Sequence, residues 1–185
     1  MKYGDAYTPQ FLNGVNQLLG VTAIDKDEEI QDFIDVRQII ERVNYTVSEK
    51  DLGRLSGFVD ANESIICINK SNSEGRKNFT LGHELAHILQ NKTFAMRGEA
   101  TEYSEEEKVD EVFANKFSAE LIMPKNLIEH HLENVLSEKG LDKEKINTTD
   151  VDVVLSEIAK KMQVSNQALN IRVDRLNILT ATQGF

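Results

Sequence analysis

Five consecutive residues, His83-Glu84-Leu85-Ala86-His87, carry the most specific chemistry in the sequence. This is an HExxH motif inside an apolar-periodic stretch that reads as a helix. Histidines four apart on an α-helix differ by about 40° in direction and about 6 Å in height, so both imidazoles can reach one ion. Zinc accepts neutral imidazole at about 2.0–2.1 Å and prefers four ligands, one of them left to solvent in a catalytic site. Glu84 is offset by one position. It cannot share that coordination position, but it can take a proton from a water molecule that the ion activates. The expected chemistry is hydrolysis with Glu84 as general base and one zinc per chain.

A third protein ligand is then required. A histidine six residues after His87, with a glycine midway, would supply it in one known pattern, but Thr93 and Gln90 hold those positions. His130 and His131 sit on a later helical stretch and are weaker candidates, either as ligands or, with Tyr103, as oxyanion donors. The lone cysteine, Cys67, reads as a small buried apolar residue. The remaining candidates are Glu102, Glu105, Glu106, Glu107, Asp110, Glu111 and Glu120. Val109, Phe113, Phe117 and Leu121 recur at spacing four and are expected to form the core stripe of their helix. Glu111, Ala114, Asn115 and Ser118 then share a neighbouring face, small apart from its acid, that could approach the motif helix closely. Glu111 is favoured as the third ligand, with Glu107 second.

The elements that must position these groups can be read around them. Asp25–Tyr45 reads as an amphipathic helix with Asp27 as its N-cap. Short strands are expected at Tyr45–Val47, Leu55–Val59 and Ser64–Asn69, the last ending in the loop Ser71–Gly75. Helices follow over roughly 76–91, 105–122, 125–138 and 151–177. Within the last, Ile158–Ser165 and Asn166–Leu176 read as helix, turn, helix, with Ser165 as N-cap. Residues 1–24 are mixed and suggest no element. The acidic run Glu102–Glu111 reads mainly as a solvated helix start, its acids favouring the positive end of the helix dipole.

Composition bounds the class. The chain has 185 residues, 40% hydrophobic and 28% charged, with 2 Pro, 10 Gly and 1 Cys. That is globular and large enough for a core without disulfides. A net charge of −10 disfavours nucleic acid or an anionic membrane as the main partner. One cysteine requires no oxidising compartment, and neither a signal peptide nor a membrane span is legible, so a cytoplasmic location is expected. The exception to the acidic balance is residues 151–185, which carry net +1 against −11 for residues 1–150. This is a feeble footprint for the rival reading, a helix-turn-helix DNA-binding regulator. A non-catalytic zinc-binding adaptor is a third reading, but it leaves Glu84 without a purpose.

Two long motifs, RKNFTLGHELAHIL (Arg76–Leu89) and EVFANKFSAELIMP (Glu111–Pro124), resemble the ImmA/IrrE-type zinc metallopeptidases. Ile66-Cys67-Ile68-Asn69 matches the strand that precedes the active helix in that family, and Ile158–Leu179 is similar to its closing helices. The resemblance covers most of residues 37–179. Ser118 stands where Ala is usual, and Val173 interrupts the usual Arg-Leu pair at Arg172. The resemblance implies His83, His87 and Glu111 as zinc ligands and Glu84 as base. It implies an α+β fold: a mainly helical zincin-like domain, with a small antiparallel sheet beside the HExxH helix, and a C-terminal helix-turn-helix-like segment. Residues 1–145 would form the peptidase domain and 146–185 a helical subdomain packed on it. Strand Ile65–Asn69 would be the sheet edge to which a substrate adds. Relatives cleave a transcriptional repressor, typically a helix-turn-helix protein, and so switch on genes of a mobile element or stress response.

Overall fold

The computed structural model describes residues 1–90, 94–97, 105–143 and 145–179, without the side chains of 94–97 and 105–107. Their elements in chain order are α1 (Tyr3–Ala6), α2 (Pro9–Leu19), α3 (Val36–Arg42), β1 (Thr46–Lys50), β2 (Gly57–Asp60), β3 (Ile65–Asn69) and α4 (Glu74–Leu89). They continue with β4 (Phe94–Arg97), α5 (Glu105–Ile122), α6 (Lys125–Lys139), α7 (Thr148–Lys161) and α8 (Asn166–Leu176). The fold is α+β and mainly helical, as the sequence reading expects.

The sheet differs from expectation in two ways. Its order is β1-β3-β2-β4, and it is mixed: β1 runs parallel to β3, while β2 is antiparallel to both β3 and β4. Strand β3, expected at the edge, is therefore internal, and among the described residues β4 and β1 are the edges. Its sequence agrees with that position: Ile66, Cys67, Ile68 and Asn69 are all buried, the near-continuous apolar run of a strand covered on both sides. Asn69 turns its amide to the carbonyls of Gly53 (3.0 Å) and Leu55 (2.8 Å), which pins the loop before β2.

The helix expected over Asp25–Tyr45 shrinks to α3, and its N-cap is Asp35, which accepts from the Gln38 amide at 3.0 Å, rather than Asp27. The backbone before it is committed elsewhere. Tyr3 and Gly4 amides donate to the Glu28 and Lys26 carbonyls, and the Ile30 amide donates to the Met1 carbonyl. A helix there would have to break those bonds. The unassigned N-terminal residues thus become α1 and α2. Their rings stack in a row, Tyr3 on Tyr7, Tyr7 on Phe11 and Phe11 on Phe117 of α5, and the Tyr7 hydroxyl donates to the Leu121 carbonyl.

Helix α4 is the centre of the molecule. Every residue from Thr80 to His87 is buried, because the sheet covers one side and α5 covers another. The α5 stripe expected to be core is half exposed: Val109 is 68% and Phe113 40% accessible, while Phe117 and Leu121 are buried. The surface that packs on α4 is instead the neighbouring small one, with Ala114 and Ser118 fully buried. At the C-terminal end, α8 starts on the expected Ser165 cap, which accepts from the Ala168 amide at 3.1 Å. Arg172 ties α8 to α5 through the Glu120 carboxylate and the Met123 carbonyl. Among the described residues no helix is long and apolar enough to cross a membrane.

Candidate metal centre

Two glycines bring the neighbouring layers down onto α4. A Cβ on Gly82 would lie 2.7 Å from the Ser118 Oγ and 3.3 Å from its Cα and Cβ. Only hydrogen fits there, so α4 and α5 meet at backbone contact. Ser118 Oγ uses the gap to donate to the Phe79 carbonyl at 2.7 Å. On the sheet side, a Cβ on Gly57 would lie 2.5 Å from Thr80 Cγ2, 2.9 Å from the Cys67 carbonyl oxygen and 3.5 Å from Glu84 Oε1. The Glu84 carboxyl therefore lies, fully buried, beneath the start of β2.

His83 and His87 point the other way, to α5. Their Nε2 atoms are 3.1 Å apart, and each is 3.3 Å from an oxygen of Glu111. The three donor groups lie within 4.8 Å of one another. Donors held at about 2.0–2.1 Å from a common tetrahedral ion stand about 3.3 Å apart, so the observed separations match that polyhedron.

The partners of the outward ring nitrogens favour one tautomer. Gln90 donates its amide to Asp110 Oδ1 at 2.9 Å, which turns its carbonyl toward His87 Nδ1 at 3.2 Å. His83 Nδ1 meets Asn115 Oδ1 at 3.2 Å. With Nδ1 as the donor to each amide oxygen, both Nε2 atoms present lone pairs to the same point. Two lone pairs 3.1 Å apart repel unless an electrophile lies between them. The donor set thus fits a cation on the chain's own geometry, with the outer partners fixing tautomer and ring orientation. When the rings carry protons at Nε2 in place of a cation, burial pushes the Glu111 carboxyl up, but hydrogen bonds and charge from His83 and His87 outweigh it and bring it down to about 2. The carboxylate therefore stays ionised beside positive charge at that point, whether protons or a metal supply it.

The other candidates have other employment. Asp110 supports Gln90, and Glu120 pairs with Arg172. His131, buried, donates Nε2–H to the Asp32 carbonyl at 2.7 Å, and His130 bonds Asn134 at 3.1 Å. Cys67 is a buried free thiol on β3. Glu102 and Tyr103, and the side chains of Glu105, Glu106 and Glu107, lie outside the described residues. The sequence reading misses the roles of Asn115, Gln90 and the two glycines. Asn115 was detectable, four residues after Glu111 on the same helical face. Gln90 stands out in the sequence only for not being glycine.

A buried helix offering two imidazoles to a carboxylate from the next helix, with a second carboxyl one residue off, is the donor set of a metallopeptidase-type site. The comparison with known families agrees. Residues 37–174, three-quarters of the chain, match the model of the IrrE N-terminal-like domain, a peptidase family, and the chain belongs to that family. No curated protein matches it.

Proposed function

We propose that this protein is a zinc-dependent endopeptidase of the ImmA/IrrE type that acts in the cytoplasm on a protein substrate. The observation that carries the reading is the convergence of His83, His87 and Glu111 at tetrahedral spacing, with each Nδ1 facing a side-chain amide oxygen. Zinc held there supplies Lewis acidity and lowers the pKa of water toward ~7. The chain's residues do the rest. Glu84 takes the proton of the attacking water and returns it to the departing amine. Its buried place under β2 keeps it next to the sheet, and an extended polypeptide would add to β4, an edge strand among the described residues.

The substrate we propose is a helix-turn-helix transcriptional repressor, cleaved to derepress genes of a mobile element or stress response. The DNA-binding alternative finds less support. The face of α8 that carries Gln167, Ile171 and Arg175 borders a cavity shared with α4 and α5.

The test is incubation of wild type and Glu84→Gln with the repressor encoded beside the gene, together with metal analysis. About one zinc per chain in both proteins and a cut made only by wild type are expected. A well-folded preparation that will not load zinc, or cleavage by Glu84→Gln at the wild-type rate, refutes the assignment.

A further inference from the structure

A cavity of about 620 Å³ opens between the N-terminal half of α4, α5 and α8, and reaches Asn115, behind the His83 ring; none of the metal donors lines it. Its lining includes Asn115, the residue bonded to His83, and Val112, next in sequence to Glu111. Four charged side chains line it, Arg76, Lys116, Arg172 and Arg175, and none of the lining residues is acidic. In a chain with 31 acids and 21 bases, four charges drawn at random would all be basic roughly once in 45 draws. Arg172 is neutralised by Glu120. Among the described residues Arg76 bonds the neutral Ser56 hydroxyl, at 2.7 and 3.0 Å, and no carboxylate. Lys116 and Arg175 are exposed and make no ion pair among the described residues. Between these cations the wall is apolar, with Val112 51% and Ile171 45% accessible.

We infer that this groove is a specificity subsite for an acidic, apolar segment of the polypeptide substrate, on the Asn115 side of the metal centre. Carboxylates of that segment face Arg76, Lys116 and Arg175, and its apolar side chains cover Val112 and Ile171. The α5 wall from Val112 to Ile122 spans ten residue steps, about 15 Å, enough for four or five residues of extended chain. Three cations with no ion pair among the described residues, around an apolar floor, suit a peptide better than a phosphate backbone, which needs many cations and no such floor. That the occupant is a polypeptide rests on the peptidase reading; the groove's preference for negative charge does not.

The test uses the full chain as Glu84→Gln, so that no cleavage intervenes. Fluorescence anisotropy would follow two labelled 12-residue amphipathic peptides with the same leucine pattern, one with glutamate and one with lysine at every other position. The glutamate peptide should bind at least about tenfold tighter, with or without zinc, since the cations do not touch the metal donors. Lys116→Glu with Arg175→Glu should weaken it by tenfold or more, and Lys116→Gln with Arg175→Gln by less. Both sites are exposed, so folding is retained. Equal binding of the two peptides, or indifference to both double substitutions, overturns the proposal. So does a 20-base-pair DNA duplex that binds more tightly than the glutamate peptide through the same two residues. Casein hydrolysis by the wild type tests the peptidase reading separately: hydrolysis without peptide discrimination sinks only the groove, and discrimination without hydrolysis sinks only the peptidase.

Discussion

Replacing Gly82 with alanine tests whether the α4–α5 contact sets the metal site. The new Cβ would lie 2.7 Å from Ser118 Oγ and 3.3 Å from Ser118 Cα and Cβ. The hydroxyl cannot swing aside freely, because it donates to the Phe79 carbonyl; losing that bond costs about 1 kcal/mol. Forcing the extra methyl into the contact costs about 1–3 kcal/mol. Alanine returns up to about 1 kcal/mol of helix propensity. The net loss is about 1–3 kcal/mol, or roughly 2–12 °C in Tm for a chain of this size. The same wedge acts next to His83, and two turns along α5 from Glu111, so zinc affinity should fall roughly tenfold as the carboxylate is carried off. Thermal melts of the metal-free protein and competition with a chromogenic chelator measure the two effects. Ser118→Gly removes the Oγ and Cβ that the added methyl would strike, so the double variant should recover at least about 1 kcal/mol relative to the sum of the singles. An unchanged Tm and zinc affinity in Gly82→Ala, or strictly additive doubles, would refute the idea that backbone contact here holds the ligands in register.

Three further outcomes are expected. Gln90→Ala and Asp110→Asn should each weaken zinc binding about 10–100-fold, because they release the His87 ring; chelator competition that shows wild-type affinity would remove them from the site. His131 is buried and its pKa is lowered by burial, though its bond to the Asp32 carbonyl pulls the other way. The unfolded chain therefore binds a proton that the folded one resists, so stability should decline as pH falls below about 6.5, toward the lower folded value. His131→Gln should flatten that slope in urea titrations at pH 7 and pH 5. Arg172→Ala leaves Glu120 without its partner and the Met123 carbonyl without its donor. A loss of about 1–3 kcal/mol, with faster amide exchange across Asn166–Leu176, is expected; unchanged exchange there would show that α8 is held by apolar packing alone.

The site was legible where chemistry and helical period act together. HExxH selects itself by spacing, and Glu111 by the small face it shares with Ala114 and Ser118. Helix α5 falls at its expected bounds, and Ser165 is the expected cap of α8. What failed depended on contacts distant in sequence. The Asp25–Tyr45 pattern is amphipathic, yet its first third gives its backbone bonds to Met1–Gly4 instead of to itself. The series Val109, Phe113, Phe117, Leu121 has the period of a core stripe, but Phe117 takes the ring from α2, while Phe113 lies on Phe117 at the end of that stack and stays 40% accessible. The order of the strands is a pairing decision that alternation in a single strand does not encode. Strand β4 was missed because nothing in FAMR alternates strongly enough to announce it.

The division of labour inside HExxH follows from the layers around it. One residue step on a helix turns about 100°, so a glutamate after a ligating histidine cannot face the same neighbour. In this protein the histidines face α5 and Glu84 faces β2, and a glycine opens each contact: Gly82 toward Ser118, Gly57 toward Thr80 and Glu84. A surface helix with the same five residues would keep the spacing and lose the function. Its imidazoles would lack Asn115 and Gln90 to fix their tautomers, and its glutamate would sit in water with nothing to aim it. The burial of Thr80–His87 is therefore not incidental to the motif. It converts two histidines and one acid into a directed donor set and holds a second acid beside it, and the two glycines let the layers close tightly enough for that to happen.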